Sequence, residues 1–268
     1  MSDDADRISV TFDEEEGRRS VAVVTFERPP VNAIDGRTKD ELISITRSLS
    51  NRRGLGAVVI QGGDHFAAGD DIKEMAAVGR EFALRGNERI SEAASAVAAI
   101  PFPVVAAVKG YALGGGCELA LAADFRVTAG DAIWGLPEIH LGLIPGGGGT
   151  QRLARLIGIA KAKKMIYLGD TMSGTEAVAI GIADEAVPAD NVVNTAIALA
   201  RELATRSPVA IRAAKRAIDS GIATDLEAGL QLEEALFSAV FASADAAEGL
   251  ASFIDKGPRS AVFETDRD

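Results

Sequence analysis

Two short segments, Ala57-Val-Val-Ile-Gln61 and Val104-Val-Ala-Ala-Val-Lys109, are apolar at nearly every position rather than at alternate ones. A strand of that kind needs cover on both faces. A glycine turn follows each, at Gly62-Gly63 and at Gly114 to Gly116, and a helical stretch follows each turn. With Phe125-Arg-Val-Thr128 as a third strand, the first half has a βαβ rhythm and the chain reads as α/β. A strand pair (Ile8 to Phe12, Ser20 to Phe26) and a helix from Thr38 to Ser50 come before it. A polar, Ala-rich helical region runs from Ile72 to Ala99 and stops at Pro101-Phe-Pro103. From Thr150 the pattern is mostly helical: Gln151 to Leu156, Ala160 to Leu168, Gly174 to Ile180 and Asn191 to Thr205, with one short strand at Asp184 to Val187. Pro208 to Ile254 holds two or three amphipathic helices richer in Ala, Leu and Phe than a solvated tail needs, which suits a packing or oligomerisation arm.

With 268 residues, 47% of them hydrophobic, the chain is long enough for one large domain or one domain plus an appendage, with an ample core. The formal net charge of −11 argues against a nucleic-acid surface, and Lys161, Lys163 and Lys164 are the only basic cluster set against it. One cysteine, Cys117, excludes an internal disulfide framework. The two histidines, His65 and His140, make no metal-ligand pattern, so neither metal nor cofactor is expected. Apolar runs fall far short of the ~20 residues that span a bilayer. The acidic start, Met1-Ser-Asp-Asp-Ala-Asp-Arg7, is unlike a secretory or transit peptide, and a soluble cytoplasmic protein is expected.

The chemistry then falls to carboxylates and main chain. Glu118 follows Gly114-Gly-Gly116 in the first turn of a helix, and Glu138 follows Trp134-Gly-Leu-Pro137. Two carboxyls converging on one pocket divide acid and base work when their surroundings push their pKa values apart. Glycines opening a helix let main chain approach a ligand closely and aim unpaired N–H groups at an oxygen. The combination suits an enolate-like oxyanion.

These motifs resemble those of the enoyl-CoA hydratase/isomerase family, the crotonase superfamily. The residues that carry the likeness run in family order: Val31-Asn-Ala-Ile34, Phe66-Ala-Ala-Gly-Asp-Asp-Ile-Lys-Glu-Met75, Pro103 to Ala120, Leu136-Pro-Glu-Ile139 and Leu143-Ile-Pro-Gly-Gly-Gly-Gly-Thr-Gln-Arg152. Leu232 to Phe237, Phe241 and Glu248 to Lys256 are similar to the family's terminal helices. Such an ordered set is far more specific than one glycine loop. The resemblance implies a spiral of ββα turns forming two roughly perpendicular sheets over residues 1–200. A helical region over 201–268 would make trimers, commonly paired into hexamers.

It also implies roles. The main-chain N–H groups of Asp70 and Gly115 would form the oxyanion hole, the second at the head of a helix whose dipole favours negative oxygen. Many relatives carry a small residue where Asp70 stands, and its side chain is expected to point away from the thioester. Glu118 would hold and activate water for attack at C3 of a 2-trans-enoyl-CoA, and Glu138 would deliver a proton to C2. Asn32, Ala33 and Ile34 match the loop beside pantetheine and adenine. Ala68, Asp71, Ile72 and Lys73 match the stretch against the CoA moiety, with Lys73 near a phosphate. Lys256 resembles a basic residue that reaches the nucleotide. Phe237 and Phe253 resemble acyl-pocket residues, against the plainer reading of trimer packing. Trp134 lines the pocket or packs; Cys117 reads as buried filler.

Three other functions compete. A Δ3,Δ2-enoyl-CoA isomerase needs one base and often lacks an equivalent of Glu118. A non-catalytic acyl-CoA-binding paralogue would have lost one or both glutamates. RNA binding, found among relatives with a Lys-rich helix, fits poorly with the charge. Both carboxylates together favour hydration. Since the same scaffold carries hydrolases, decarboxylases and dehalogenases, fold alone does not fix the reaction.

Overall fold

The valine-rich segments pair side by side in the main sheet. The computed structural model describes residues 6–79 and 87–263. Strands β1 (Ile8–Asp13), β2 (Ser20–Phe26), β3 (Leu55–Gln61), β4 (Val104–Val108), β6 (Phe125–Ala129) and β9 (Glu185–Val187) lie in the order β1-β2-β3-β4-β6-β9. β1 and β2 form an antiparallel hairpin, and every later pairing in this sheet is parallel. Every residue of β4 is buried, as are all of β3 except Gln61, which explains the absence of alternation.

A second sheet joins β5 (Tyr111–Leu113), β7 (Ile133–Gly135) and β8 (Thr171–Ser173) in the order β5-β7-β8. The sequence reading has none of these strands. Three residues are too few for a period of two to register, and β5 lies inside a glycine-rich run that reads as a turn.

Helix α1 (Gly36–Ser50) starts two residues before the expected Thr38 because Asp35 caps it, accepting from Thr38 N at 2.7 Å. Its buried stripe is Thr38, Lys39, Leu42, Ile43, Thr46 and Leu49. In the expected helical region from Ile72 to Ala99 the described residues form α2 (Ile72–Val78) and α3 (Asn87–Ala98); 80–86, between them, lies outside the described residues. Helix α4 (Gly115–Ala122) already includes two of the glycines read as its turn. A 3₁₀ turn (Pro137–Leu141) and helices α5 (Gly149–Ile157), α6 (Ile159–Leu168), α7 (Gly174–Ile180) and α8 (Val192–Ala204) follow.

The C-terminal part is α9 (Pro208–Gly221), α10 (Leu226–Phe241) and α11 (Ala244–Lys256). Lys215 Nζ, 2.7 Å from Asp124 Oδ2, ties α9 to the turn before β6. Ser207 caps α9 and donates to the buried Asp245 Oδ2 at 2.6 Å, joining the starts of α9 and α11. In the single chain Ile218, Ile222, Leu226, Leu230, Phe241 and Ile254 are exposed along these helices. Among the described residues no single helix is long and apolar enough to cross a membrane; α10 and α11 pass that test only as a pair, bent by 73°.

Candidate active site

Helix α4 packs so closely that Gly116 has no room for a side chain: a Cβ there would overlap the main-chain oxygen of Ala67. Main-chain bonds from Ala67 N to Tyr111 O (2.8 Å) and from Leu113 N to Ala67 O (3.1 Å) run the 67–70 segment beside β5, which leads into the helix. At the far end of α4 the buried Arg126 donates to Ala123 O (2.7 Å) and Ile182 O (2.6 Å). The helix is therefore held at both ends.

Glu118, 1% exposed, points inward from the first turn. Its Oε1 accepts from Gly147 N and Gly149 N, each at 2.7 Å, across the loop that opens α5. A Cβ at Gly147 would stand 2.8 Å from Oε2, and one at Gly149 would stand 2.9 Å from Oε1. Gly147 and Gly149 therefore serve close approach to a carboxylate. Burial pushes Glu118 up to about 7; the two N–H donors oppose this, and the charges of Glu138 and Asp70 add to it.

Glu138 sits in the first turn of the 3₁₀ helix, with Pro137 opening it and left-handed Gly142 closing it. A Cβ on Gly114 would lie 3.4 Å from Glu138 Oε1, which sets this carboxyl against the head of α4. Its Oε2 is buried without a hydrogen-bond partner. Burial, aided by the charge of Asp70, pushes Glu138 up to about 6.

Beside them lies the 69–70 turn. Ile34 N donates to Gly69 O (2.8 Å), and Asp71 N donates to Ile34 O (3.0 Å), forming a parallel bridge of Ile34 with Asp70. In such a bridge the main-chain N–H of Asp70 itself points to the opposite side. A Cβ on Gly69 would lie 3.6 Å from Gly115 N, so the two expected oxyanion donors belong to adjoining segments. The Asp70 carboxylate does not leave this region. It contacts Lys39 Nζ at 2.5 Å, and its Oδ2 stands 2.8 Å from where a Gly115 Cβ would be.

Several expected binding side chains are engaged within the protein. The Asn32 amide donates to Gly62 O and His65 O, both at 2.7 Å, and its oxygen accepts from Arg28 N at 2.8 Å. The Asp71 carboxylate caps α2 and binds Arg28 Nη2 at 2.6 Å; this guanidinium holds it well below the usual carboxylate range. Arg28 also donates to Ala33 O at 2.9 Å, and its Nε lies 3.1 Å from Asp35. These side chains set the shape of the 28–35 loop. Ile72 and Lys73 are exposed, whereas Ile34 is buried and Ala68 half-buried. Phe237 and Phe253 are 66% and 59% exposed, and Lys256 ends α11.

Trp134 is fully buried and donates to Thr128 Oγ1 at 3.0 Å, so it packs. Cys117 is also fully buried, its thiol pushed up by burial and by Glu118. His65 stacks on Tyr111 with centroids 4.4 Å apart. No group of three or more metal-ligating side chains occurs among the described residues.

The sequence reading missed Arg28, Lys39 and Arg152. Arg152 donates to Gly147 O at 2.9 Å, behind the loop that holds Glu118. Lys39 had a signal: it is the one cation on the apolar stripe of α1.

A family model described as enoyl-CoA hydratase/isomerase matches residues 16–265. A probable enoyl-CoA hydratase of Mycobacterium bovis is 42% identical over 238 residues, 88% of this chain and 92% of that protein. A short-chain-enoyl-CoA hydratase of Clostridium acetobutylicum is 36% identical over 250 residues, 91% and 94% of the two chains. Among solved structures, an enoyl-CoA hydratase from Bacillus anthracis superposes with a TM-score of 0.89 at 37% identity, covering 97% of this chain and 99% of that one. Pseudomonas aeruginosa DspI gives 0.90 at 32% identity, with 98% of each chain covered. The expected crotonase-like α/β fold is thus borne out, and the chain belongs to the enoyl-CoA hydratase/isomerase family of enzymes.

Proposed function

We propose that the protein catalyses the reversible syn hydration of a 2-trans-enoyl-CoA to the 3-hydroxyacyl-CoA. The observation that carries this reading is a pair of carboxyls drawn away from water, the buried Glu118 on α4 and the half-buried Glu138 against its N-terminus, both raised toward neutrality. Near pH 7 such a coupled pair shares a proton, as addition of water requires: one group ionised, one protonated. Burial lifts Glu118 the higher, to about 7 against about 6. The hydrogen bonds point the other way: two main-chain donors on Glu118 Oε1 favour its anion, and the unpartnered Glu138 Oε2 suits a carboxyl with a proton to give. The hydrogen bonds thus suit Glu118 as the base and Glu138 as the acid. Glu118 takes a proton from water as its oxygen attacks C3, and Glu138 delivers a proton to C2.

The thioester oxygen accepts from the main-chain N–H groups of Asp70 and Gly115, which polarises the enone and stabilises the enolate-like charge. Water supplies every atom that is added and nothing is oxidised or reduced overall, so the reaction as proposed needs no redox cofactor, and the two carboxyls take the acid and base roles. The 32–34 and 68–73 segments cradle the CoA portion, Lys73 and Lys256 serving its phosphates and Phe237 and Phe253 the acyl end. The exposed apolar faces of α9 to α11 suit self-association as a trimer or a pair of trimers, in the cytoplasm. The test follows loss of enoyl-thioester absorbance with crotonyl-CoA and a longer 2-enoyl-CoA, for wild type, Glu118→Gln and Glu138→Gln. Loss in both variants supports hydration by two carboxyls. A Glu118→Gln enzyme that still interconverts 3-enoyl- and 2-enoyl-CoA would favour the isomerase instead.

A further inference from the structure

Lys39 is 3% exposed, on the buried stripe of α1, a position where a lysine is costly unless paired. Its ammonium contacts Asp70 Oδ1. Asp70 in turn lies against Gly115, and its charge reaches both Glu118 and Glu138. Three carboxyl groups thus crowd one end of α4. The groups around them are Lys39 from α1, Glu118 from α4, Glu138 from the 3₁₀ helix and Arg152 from α5, the last lying behind Gly147.

We propose that Lys39 is a positioning residue: its ammonium holds the Asp70 carboxylate, and with it the 69–70 turn beside Gly115, and offsets a third negative charge facing the two glutamates. The inference rests on the hydration reading for its catalytic consequence but not for its electrostatic one. An unbalanced carboxylate beside the oxyanion donors would oppose the negative charge that develops there. Lys39 cancels that opposition without touching substrate, and the ion pair fixes the residue whose main-chain N–H is the proposed donor.

The test is a charge cycle: Lys39→Met, Asp70→Asn and the double variant. Each protein, with 13C-labelled glutamate carboxyls assigned through Glu118→Gln and Glu138→Gln, is titrated by NMR without substrate, and kcat and KM are measured against pH with crotonyl-CoA. Removing the cation leaves net negative charge, so Lys39→Met should move the glutamate titrations and the acid limb of kcat upward by about one unit. It should also lower kcat about tenfold with less effect on KM. Removing the anion leaves net positive charge, so Asp70→Asn should move the titrations downward. The double variant should return them near the wild-type position. A merely structural pair would give no opposed shifts. If Lys39→Met does not fold, Asp70→Asn and the double variant still carry the sign of the effect. Opposed shifts in a protein that hydrates nothing would keep the ion-pair inference and sink hydration. Hydration with unmoved titrations would sink the inference alone.

Discussion

Gly149 donates its main-chain N–H to Glu118 Oε1 at 2.7 Å, although the two residues are 31 positions apart in the chain. The carboxylate is placed by peptide groups rather than by a side-chain partner. A methyl group at Gly149 would meet Oε1 at 2.9 Å, Pro145 Cβ at 2.9 Å and Leu136 Cδ1 at 3.1 Å. Gly149→Ala should therefore shift Glu118 while leaving the sheets intact. Displacing a catalytic group by about 1 Å costs on the order of a hundredfold in rate. The expected outcome is that loss in kcat with an unchanged far-ultraviolet circular dichroism spectrum; near-wild-type turnover would show that Glu118 is not the water-activating group.

Both glutamates have folded-state values raised above 4.5, to about 7 and about 6. Between 4.5 and 7 the folded chain holds more protons on them than the unfolded chain does, so their contribution to stability is fully present below 4.5 and is lost as pH rises through 6 to 7. Asp13, Asp35 and Asp71 are lowered and act in the opposite sense at lower pH. Comparing variants isolates the effect. Glu118→Gln should be more stable than wild type above pH 7, by on the order of 2 kcal/mol, with the gain shrinking toward pH 5. Urea unfolding at pH 5 and pH 8 measures the difference, and a gain equal at both values would contradict the assignment.

Much of this was legible in advance. The valine-rich β3 and β4 declare burial on both faces, and the glycines around Glu118 and the proline before Glu138 declare turns that present a carboxyl. What escaped was tertiary. The strands β5, β7 and β8 are three residues each, and their pairing depends on segments up to 40 positions away, as between Ile133 and Ser173. Nothing local says that the side chains of Asn32 and Asp71 are used on Gly62, His65 and Arg28. The Gly147 and Gly149 donors are invisible without the fold, since main-chain N–H groups carry no residue signature.

Asn32 has left-handed backbone, φ 53°, which asparagine tolerates better than most residues, and its buried amide closes the 62–66 turn. Asn32→Ala should lose about 2–3 kcal/mol, since it strands buried carbonyls and a main-chain donor as well as straining the backbone. Urea denaturation should show a lower midpoint with an unchanged slope.

Arg28 binds Asp71 and Asp35 and the Ala33 carbonyl, so Arg28→Met should loosen the 28–35 loop without touching Glu118 or Glu138. On the proposed function, KM for the enoyl-CoA should rise roughly tenfold, a little over 1 kcal/mol of binding, with kcat changed much less. A fall in kcat alone would detach the loop from CoA binding.

Gly147 and Gly149 confer on their loop an unusual pattern of tolerance. Peptide groups are common to all residues, so a neighbour such as Ile144, 69% exposed, is free to drift in polarity while the carboxylate stays in place. At the two glycines the limit is volume: one added carbon atom would stand within 3.0 Å of the Glu118 carboxylate and displace it. Sequence change around this acid is thus governed by empty space, and the most restrictive positions are those that contribute no side chain at all.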